Sequence, residues 1–385
     1  MNAGQERSPQ AGAACDRCLR RSWLLSELSG PLDYCARDRA RLLELLALAD
    51  EELMDAVAGR RRTELRDRYE RFTLDGAGLR DGDAQAICRH ARGYPRALDG
   101  AGAPHMLEVA GGSRRLVELT ARPVVAILGS GSASDYGMEM ARGLARGLAA
   151  SGVTVVATLT DGVAVAAHAG AVDAAAGASI AVLGGGLGVS CPARRRALYG
   201  RVRRAGCAVS ELPHGASGRR WGSLAAERIV VELAALTVVI EAEQTVGQLA
   251  GARIAQALGR PLAAIPGRVT SPLSRGPHVL LMEGASLVRG PEDVLELLYP
   301  PQASKRAPGL TPARQGADRP RGLRAELRSI LELVGSGHDT PDKLTRAGID
   351  PADTLLGLSE LELRGLLGRG DGGRYLLRHP SSVDG

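Results

Sequence analysis

The spacing of hydrophobic and polar positions differs between regions of the chain. From about residue 15 to residue 90, apolar residues such as Leu42, Leu45, Leu46 and Leu53 recur at helical spacing, with Arg and Glu on the opposite face. Between residues 122 and 299, short apolar runs alternate with Ala- and Leu-rich helical stretches. The pattern therefore predicts a helical N-terminal region followed by a domain of alternating strands and helices.

The middle region predicts an α/β fold with a doubly wound, Rossmann-like parallel sheet. The strand candidates are residues 124–128, 153–157, 179–183, 208–210, 236–240 and 262–265. Several of them are apolar throughout, as expected for strands that are buried on both faces. Strand, glycine-rich turn and helix follow one another at a spacing that is typical of this fold.

The end of the chain predicts a separate small module. Residues 300–322 are rich in Pro and Gly, basic and without periodicity, which favours a flexible linker. An amphipathic helix at 323–334, a second helix from Thr340, a third at 359–367 and a terminal hairpin are typical of a winged helix-turn-helix. The predicted domains are an N-terminal helical domain at 1–92, a connecting segment at 93–121, the Rossmann-like domain at 122–299, the linker at 300–322 and a winged helix at 323–385.

Composition narrows the function classes. The 385 residues carry a net charge of +6, a mild basic excess that is compatible with nucleic-acid binding. Only Lys305 and Lys343 are lysines, so arginine, which suits bidentate phosphate contact, supplies nearly all of the positive charge. Aromatic residues make up 3%, which argues against a base-stacking platform. Because the chain has neither an uncharged apolar run of about 18 residues nor a signal-peptide core at its start, we expect a cytoplasmic protein without a membrane span.

Two glycine-rich turns carry the candidate chemistry. The first, GSGSASDYG at residues 129–137, follows a predicted strand and precedes a helix, so that backbone N–H groups and the helix N-terminus could approach an anion. The second, at residues 184–186, ends the third strand, and an arginine-rich helix follows it. Because the carboxyl ends of parallel strands meet at one edge, we expect both turns and the flanking arginines to converge on one crevice that binds a phosphodiester chain.

Cofactor and metal sites have weaker support in the sequence. The first turn lacks GxGxxG spacing, and no acid ends the second strand, so we predict no nicotinamide cofactor. Cys15 and Cys18 form a CxxC, and Cys35 follows, but no fourth ligand stands at a usual spacing. A metal site would need Cys88 and His90 as further ligands. We therefore predict no metal site.

The motifs together resemble the DprA/Smf family of bacterial DNA-processing proteins, over roughly residues 15–378. The segments that carry the resemblance are the first turn, GVAVAAHAGA at 162–171, AVLGGG at 181–186, CPAR at 191–194, SELP at 210–213, RRW at 219–221, ERIV at 227–230, AAIPG at 263–267 and TSPLSRG at 270–276. The opening CDRCLRRSWLLSELSG resembles actinobacterial members, while other positions diverge from the family. Gly131 stands where the family usually has Arg, and Glu227 stands where it has an amide.

The resemblance implies an extended Rossmann domain that binds single-stranded DNA without catalysis, usually as a homodimer. It also implies loading of a RecA-type recombinase during DNA recombination and natural transformation. The candidate DNA- or phosphate-binding residues are Gly129, Ser130, Gly131, Ser132, Tyr136, Gly137, Thr158, Gly162, Gly184, Gly185, Gly186, Arg194, Arg195, Arg219, Arg220, Arg228, Gly247, Gly267 and Arg275.

Two alternatives stay open on sequence alone. The first is an enzyme similar to nucleoside-monophosphate phosphoribohydrolases, with Glu227 or Glu241 as the acid, although the chain lacks the GGGTxxE pattern of that group. The second is a scaffold with a decayed DNA site that binds partners through the winged module. We expect His168, on a helix within an apolar stretch, to be packed in the core rather than to act as a base.

Overall fold

The computed structural model describes residues 14–72, 84–100, 102–174, 178–188, 193–300, 323–335, 338–369 and 375–377. They fall into two compact units, Met1–Ala303 and Ser304–Gly385, and each is described by itself. None of the helices in these ranges has the length and apolar character needed to cross a membrane.

A nine-stranded sheet organises the first unit. Its strands are β1 (Ala84–Cys88), β2 (Met106–Ala110), β3 (Val124–Leu128), β4 (Thr154–Thr158), β5 (Ser179–Val182), β6 (Cys207–Ser210), β7 (Leu236–Val239), β8 (Leu262–Ala264) and β9 (Ser286–Leu287). The order is β1-β2-β6-β5-β4-β3-β7-β8-β9. All pairs from β6 to β9 are parallel, whereas β2 is antiparallel to both β1 and β6. The predicted α/β class is confirmed, and all six predicted strands form.

Helices cover both faces of the sheet. The helices of this unit are α1 (Asp16–Glu27), α2 (Ser29–Cys35), α3 (Arg39–Ala47), α4 (Asp50–Val57), α5 (Arg62–Glu70), α6 (Ser113–Thr120), α7 (Asp135–Ala150), α8 (Val163–Asp173), α9 (Ala193–Ala205), α10 (Arg219–Leu233), α11 (Ala250–Ala257), α12 (Arg275–Met282) and α13 (Pro291–Leu298). One core lies between the sheet and α6 and α10, and a second lies between the sheet and α7, α8 and α13. Small residues allow close packing: a Cβ at Gly170 of α8 would overlap the backbone of Arg142 in α7.

The N-terminal helices pack on α10 and share a core with it. Leu24, Leu42 and Leu53 lie in one buried cluster with Trp221 of α10. The Trp221 indole Nε1 donates a hydrogen bond to Ser29 Oγ at 2.9 Å. The apolar face that the sequence showed in this region therefore has α10 as its partner.

The sheet begins further toward the N-terminus than predicted. The predicted helical domain at 1–92 ends in β1, and the predicted connecting segment at 93–121 contains β2 and α6. β1 has the sequence AQAIC and is buried at only two of its five positions, so it lacks the continuous apolar run that marked the central strands. β2 is buried at every position but includes Glu108, which interrupts its apolar pattern.

The second unit contains three helices and a hairpin: α14 (Ala325–Gly335), α15 (Pro341–Arg346), α16 (Pro351–Leu363), β10 (Leu367–Arg369) and β11 (Tyr375–Leu377). Ile330, Leu344 and Leu361 lie in its core. The predicted third helix at 359–367 was placed too late. Asp350 caps α16 at Ala352 N, and β10 already occupies residues 367–369. The winged-helix assignment stays a prediction, and residues 301–322 and the predicted turn at 370–373 lie outside the described residues.

Candidate functional site

The first glycine turn is a junction between backbone segments. Ser130 N donates to Glu241 O at 2.6 Å, and Ser130 O accepts from Val163 N at 3.1 Å. Gly162 has a φ of 72°, and a Cβ there would overlap Ser130 O. A Cβ at Gly129 would lie 2.9 Å from Glu241 O. Gly129, Ser130 and Gly162 therefore serve the packing of the turn, whereas the neighbouring Gly131 and Ser132 are exposed.

Glu241, at the end of β7, caps the helix that follows this turn. Its carboxylate accepts hydrogen bonds from Ser134 N at 2.8 Å and from Ser134 Oγ at 2.6 Å, and it is 3% exposed. A Cβ at Gly137 would overlap the same carboxylate. The carboxylate compensates the partial positive charge of the α7 N-terminus, where we expected an external anion. Glu241 is thus a structural cap, and this geometry argues against its role as a free catalytic acid.

A cleft of about 300 Å³ lies at the carboxyl ends of β4 and β5. It is lined by Thr158, Leu159, Thr160, Val182, Leu183, Gly184, Gly185, Gly186, Arg195, Tyr199, Ser223, Ala226 and Glu227. The strand order reverses elsewhere, between β3 and β7, where Ser134 at the start of α7 donates hydrogen bonds to Glu241. We expected both glycine turns to line one crevice, but the lining of this cleft includes residues of the second turn and none of the first.

The second glycine turn packs against the loop that leads into α10. A Cβ at Gly218 would overlap Gly184 O, and a Cβ at Gly186 would overlap Pro213 O. Gly186 N donates to Ala216 O at 2.8 Å. Glycine at these positions is therefore explained by contacts within the protein, and the same contacts bring the start of α10 to the cleft.

Arg194 and Arg195 project from α9 beside the cleft. The guanidinium of Arg195 is largely buried and donates to Leu159 O. Arg194 is 70% exposed and pairs with Asp161, with Arg194 Nε 3.1 Å from Asp161 Oδ1. The hydrogen bond from Arg194 lowers the pKa of Asp161, so the carboxylate stays ionised and offsets part of the positive charge.

Arg219 and Arg220 begin α10, and their side chains are exposed. Neither side chain forms an ion pair within the part of the chain that the structure describes. Asp33 of α2 accepts hydrogen bonds from Arg220 N at 2.7 Å and from Trp221 N at 3.3 Å. The first amides of this helix are therefore capped internally, and the two guanidinium groups are what it offers to a ligand.

Arg228 is not part of the surface, which corrects its assignment as a DNA contact. The residue is 2% exposed, and its Nη2 lies 2.6 Å from Glu211 Oε2 in a buried ion pair. It lies among the buried residues of α10, directly before Ile229 and Val230. Because a buried charge needs a partner, the pair with Glu211 accounts for this arginine.

The other predicted residues lie around the turns after β3, β7 and β8. Tyr136 is exposed, and its hydroxyl donates to Pro266 O at 2.9 Å. Gly247 O accepts from Arg39 Nη1 at 3.2 Å. A Cβ at Gly267 would overlap Ser274 Oγ, while Arg275 is exposed at the start of α12. None of these residues lines the β4–β5 cleft.

His168 forms a hydrogen bond with Thr158, one of the residues that line the cleft. It is fully buried, with Nε2 3.0 Å from Thr158 O and Nδ1 2.7 Å from Ser179 Oγ. Because a carbonyl oxygen only accepts hydrogen bonds, Nε2 carries the proton. Burial lowers the pKa of His168 to about 4, so the ring is neutral at pH 7. The expectation of a packed histidine is confirmed.

Glu227 is the acidic residue of the cleft lining. Its Oε2 is buried and has no hydrogen-bond partner within the described residues. Burial raises the pKa of Glu227 to about 7, so the carboxyl group changes charge near neutral pH. In the sequence LAAERIV, Glu227 stands among apolar residues of a predicted helix. This pattern is the signal by which a buried acid could be found from the sequence.

The folded chain brings three cysteines and one histidine together. Cys15, Cys18, Cys88 and His90 lie together, with their ligand atoms within 4.8 Å of one another. The sequence spacing offered no fourth ligand because the two halves of the group are far apart along the chain. Cys35 lies elsewhere, against the core of the N-terminal helices.

The known proteins that are similar to this chain belong to one family. The family described as DNA recombination-mediator protein A matches residues 85–299. The putative DNA processing protein DprA of Mycobacterium tuberculosis is 36% identical over 269 residues, which cover 69% of this chain and 67% of that protein. Protein Smf of Escherichia coli is 33% identical over 266 residues, covering 67% of this chain and 69% of that protein.

Solved structures agree with this relationship. The X-ray structure of DNA processing protein A from Streptococcus pneumoniae aligns with a TM-score of 0.58 and 27% identity, covering 72% of this chain and 96% of that one. A structure that describes the single-stranded DNA binding mode of the Helicobacter pylori protein aligns with a TM-score of 0.50 and 24% identity, covering 56% and 95%, and supports the fold. The chain therefore belongs to the DNA recombination-mediator protein A family, also called DprA or Smf.

Proposed function

We propose that this protein is a DNA-processing protein that binds single-stranded DNA along the cleft at the carboxyl ends of β4 and β5. Family membership supports the proposal, and the Helicobacter pylori relative is described by its binding of single-stranded DNA. The observation that carries it is the cleft itself, which has exposed arginines on its two flanking helices, α9 and α10.

The arginines stand where a phosphate chain could follow the cleft. Arg219 and Arg220 lie one helical turn before Ser223, which lines the cleft, and Ser223 Oγ lies 3.5 Å from Arg219 O. Arg194 and Arg196 are exposed on α9, beside the lining residue Arg195. Guanidinium groups form bidentate contacts with phosphate oxygens without reading the bases. We therefore expect little dependence on DNA sequence.

Acidic groups weaken this surface. Asp161 pairs with Arg194, and Glu227 lies in the cleft lining. Neither carboxylate can attract a phosphate, and Glu227 gains its negative charge as the pH rises through about 7. We expect DNA binding that is modest at neutral pH and stronger in mildly acidic buffer.

We extend the proposal to the wider role of the family. On the resemblance alone, the protein would act as a homodimer, without catalysis, and would help to load a RecA-type recombinase during recombination and natural transformation. Incubation with AMP should release no adenine, and release would instead support the phosphoribohydrolase alternative. Glu241 is committed to the α7 cap, which argues against its use in that reaction.

A salt titration tests DNA binding. Fluorescence anisotropy with a labelled oligo-dT should give a linear fall of log affinity with log salt, with a slope of about −0.7 per phosphate contact. The double variant R219A/R220A should bind more weakly and reduce that slope by about 1.4. The matched control is R114A/R122A, because Arg114 and Arg122 are exposed residues that do not line the cleft.

The outcomes distinguish DNA binding at the cleft from binding through net charge and from the scaffold alternative. Loss of affinity in both double variants to the same extent would mean that net charge, not the cleft, controls binding. No binding by the unchanged protein in low salt would refute the proposal. In that case, capture of a partner by the full chain and its loss on removal of residues 323–385 would support the scaffold alternative.

A further inference from the structure

Four potential metal ligands meet at the junction of α1 and β1. Cys15 is the N-cap residue of α1 and Cys18 lies in its first turn. Cys88 is the last residue of β1, and His90 follows in the next turn. The ligand atoms all lie within 4.8 Å of one another, although the pairs come from distant parts of the sequence.

The distances fit a tetrahedral ion. His90 Nδ1 lies 3.4 Å from Cys15 Sγ, 3.4 Å from Cys18 Sγ and 3.9 Å from Cys88 Sγ. In a tetrahedral zinc site, with Zn–S bonds of about 2.3 Å and Zn–N bonds of about 2.0 Å, sulfur and nitrogen ligands stand about 3.5 Å apart. The nitrogen therefore stands at near-tetrahedral distances from the three sulfurs, and all four ligand atoms are close enough to surround a single ion.

Backbone hydrogen bonds join the start of α1, which carries two of the ligands, to β1, which carries the third. Ala14 N donates to Ala86 O at 2.9 Å, which joins the start of α1 to β1. Cys15 N lies 3.4 Å from Cys88 Sγ, so that an amide of one pair faces a sulfur of the other. An N–H group that donates to a metal-bound thiolate orients the sulfur and stabilises its charge.

Burial separates the group from bulk water on one side. Cys18 and Cys88 are fully buried and pack with Leu19 and Met106 in a small apolar cluster, while His90 is exposed. Thiolates and imidazole are soft ligands that select zinc over magnesium or calcium. Four protein ligands leave no open position, which is typical of structural rather than catalytic zinc.

We propose that Cys15, Cys18, Cys88 and His90 bind one zinc ion that fastens α1 to β1. The ion ties the N-terminal helices to the edge of the sheet, in addition to their packing on α10. This role is independent of DNA binding by the cleft, so either proposal can fail without the other.

Zinc content of the full-length protein, purified under reducing conditions, tests the proposal. Mass spectrometry of the metal should find about one zinc per chain. Cys88→Ser should reduce the content to near none, and His90→Asn should lose zinc to a competing chelator that leaves the unchanged protein loaded. Cys35→Ser is the matched control and should keep its zinc, because Cys35 is a partly buried cysteine outside the group.

A spectroscopic measurement covers the case in which Cys88→Ser does not fold. Replacement of zinc by cobalt in the unchanged protein should give the absorption bands of a tetrahedral site with thiolate ligands. Failure to bind either metal after reduction would overturn the proposal. So would a disulfide within the group in freshly purified protein, or equal zinc loss from Cys35→Ser and Cys88→Ser.

Discussion

Replacement of Glu227 by Gln should stabilise the protein in a way that depends on pH. The carboxyl group lines the cleft, and its Oε2 is buried without a hydrogen-bond partner in the described residues. Burial disfavours the charged form and raises the pKa of Glu227 from 4.5 to about 7. Gln has nearly the same shape and never carries that charge.

The pKa shift sets the size and the direction of the effect. The folded protein holds the Glu227 proton more tightly than the unfolded chain, so this contribution to the free energy of unfolding is complete below about pH 4.5 and is lost as the pH rises through 7. One pKa unit corresponds to about 1.4 kcal/mol, which gives an upper limit of about 3 kcal/mol at pH 8. About 0.8 kcal/mol of this effect is already present at pH 5, so Glu227→Gln should gain up to about 2.5 kcal/mol over the unchanged protein between pH 5 and pH 8.

Urea denaturation of both proteins at several pH values between 5 and 8 measures this difference. The control is Glu243→Gln, the same substitution at an exposed acid that follows β7 and does not line the cleft. Oligo-dT affinity should fall with rising pH in the unchanged protein and stay level in Glu227→Gln. Parallel stability curves for Glu227→Gln and the unchanged protein would refute the reasoning.

Three further substitutions test buried contacts in the first unit. Arg228→Ala leaves the Glu211 carboxylate buried without its cation and should lower the free energy of unfolding by about 3–5 kcal/mol in urea, so a loss below about 1 kcal/mol would contradict the buried pair. Gly162→Ala places a side chain at a φ of 72° against Ser130 O and should lower the melting temperature, whereas an unchanged melting temperature would argue against this close approach. His168→Leu should lower stability at pH 7 by about 1–3 kcal/mol through its lost hydrogen bonds. Because the pKa of His168 is lowered to about 4, the unchanged protein loses stability from pH 6.5 to 4, and an equal acid dependence in His168→Leu would contradict a buried neutral ring.

The central sheet could be predicted because its strands are buried on both faces. Runs such as residues 124–128 and 262–265 are apolar throughout, and no helical face can be drawn through them. β1 and β2 lack this signal, since β1 is half exposed and β2 includes Glu108. Their place in the sheet depends on pairing with each other and with β6, which is not encoded locally.

The strand-to-turn structure at the candidate site was predictable, but the contacts around the turns were not. Both glycine turns follow strands, as expected, yet the groups that occupy the space around them come from distant segments. Asp33 caps α10, Glu241 caps α7, and Glu211 pairs with Arg228. A single sequence shows that each of these residues is acidic, but only the folded chain shows which amide or guanidinium it satisfies.

The contact of Asp33 with the start of α10 bears on how the protein can be divided for study. A shortened protein that begins at residue 85, where the family match starts, would lack α1 to α5 and with them the acceptor for Arg220 N and Trp221 N. Those two amides would then face solvent beside the exposed Arg219 and Arg220, and the bare helix end would attract anions more strongly than it does in the whole chain. Trp221 would also lose its apolar cover. Tight nucleic-acid binding by such a fragment would therefore overstate the affinity of the intact molecule.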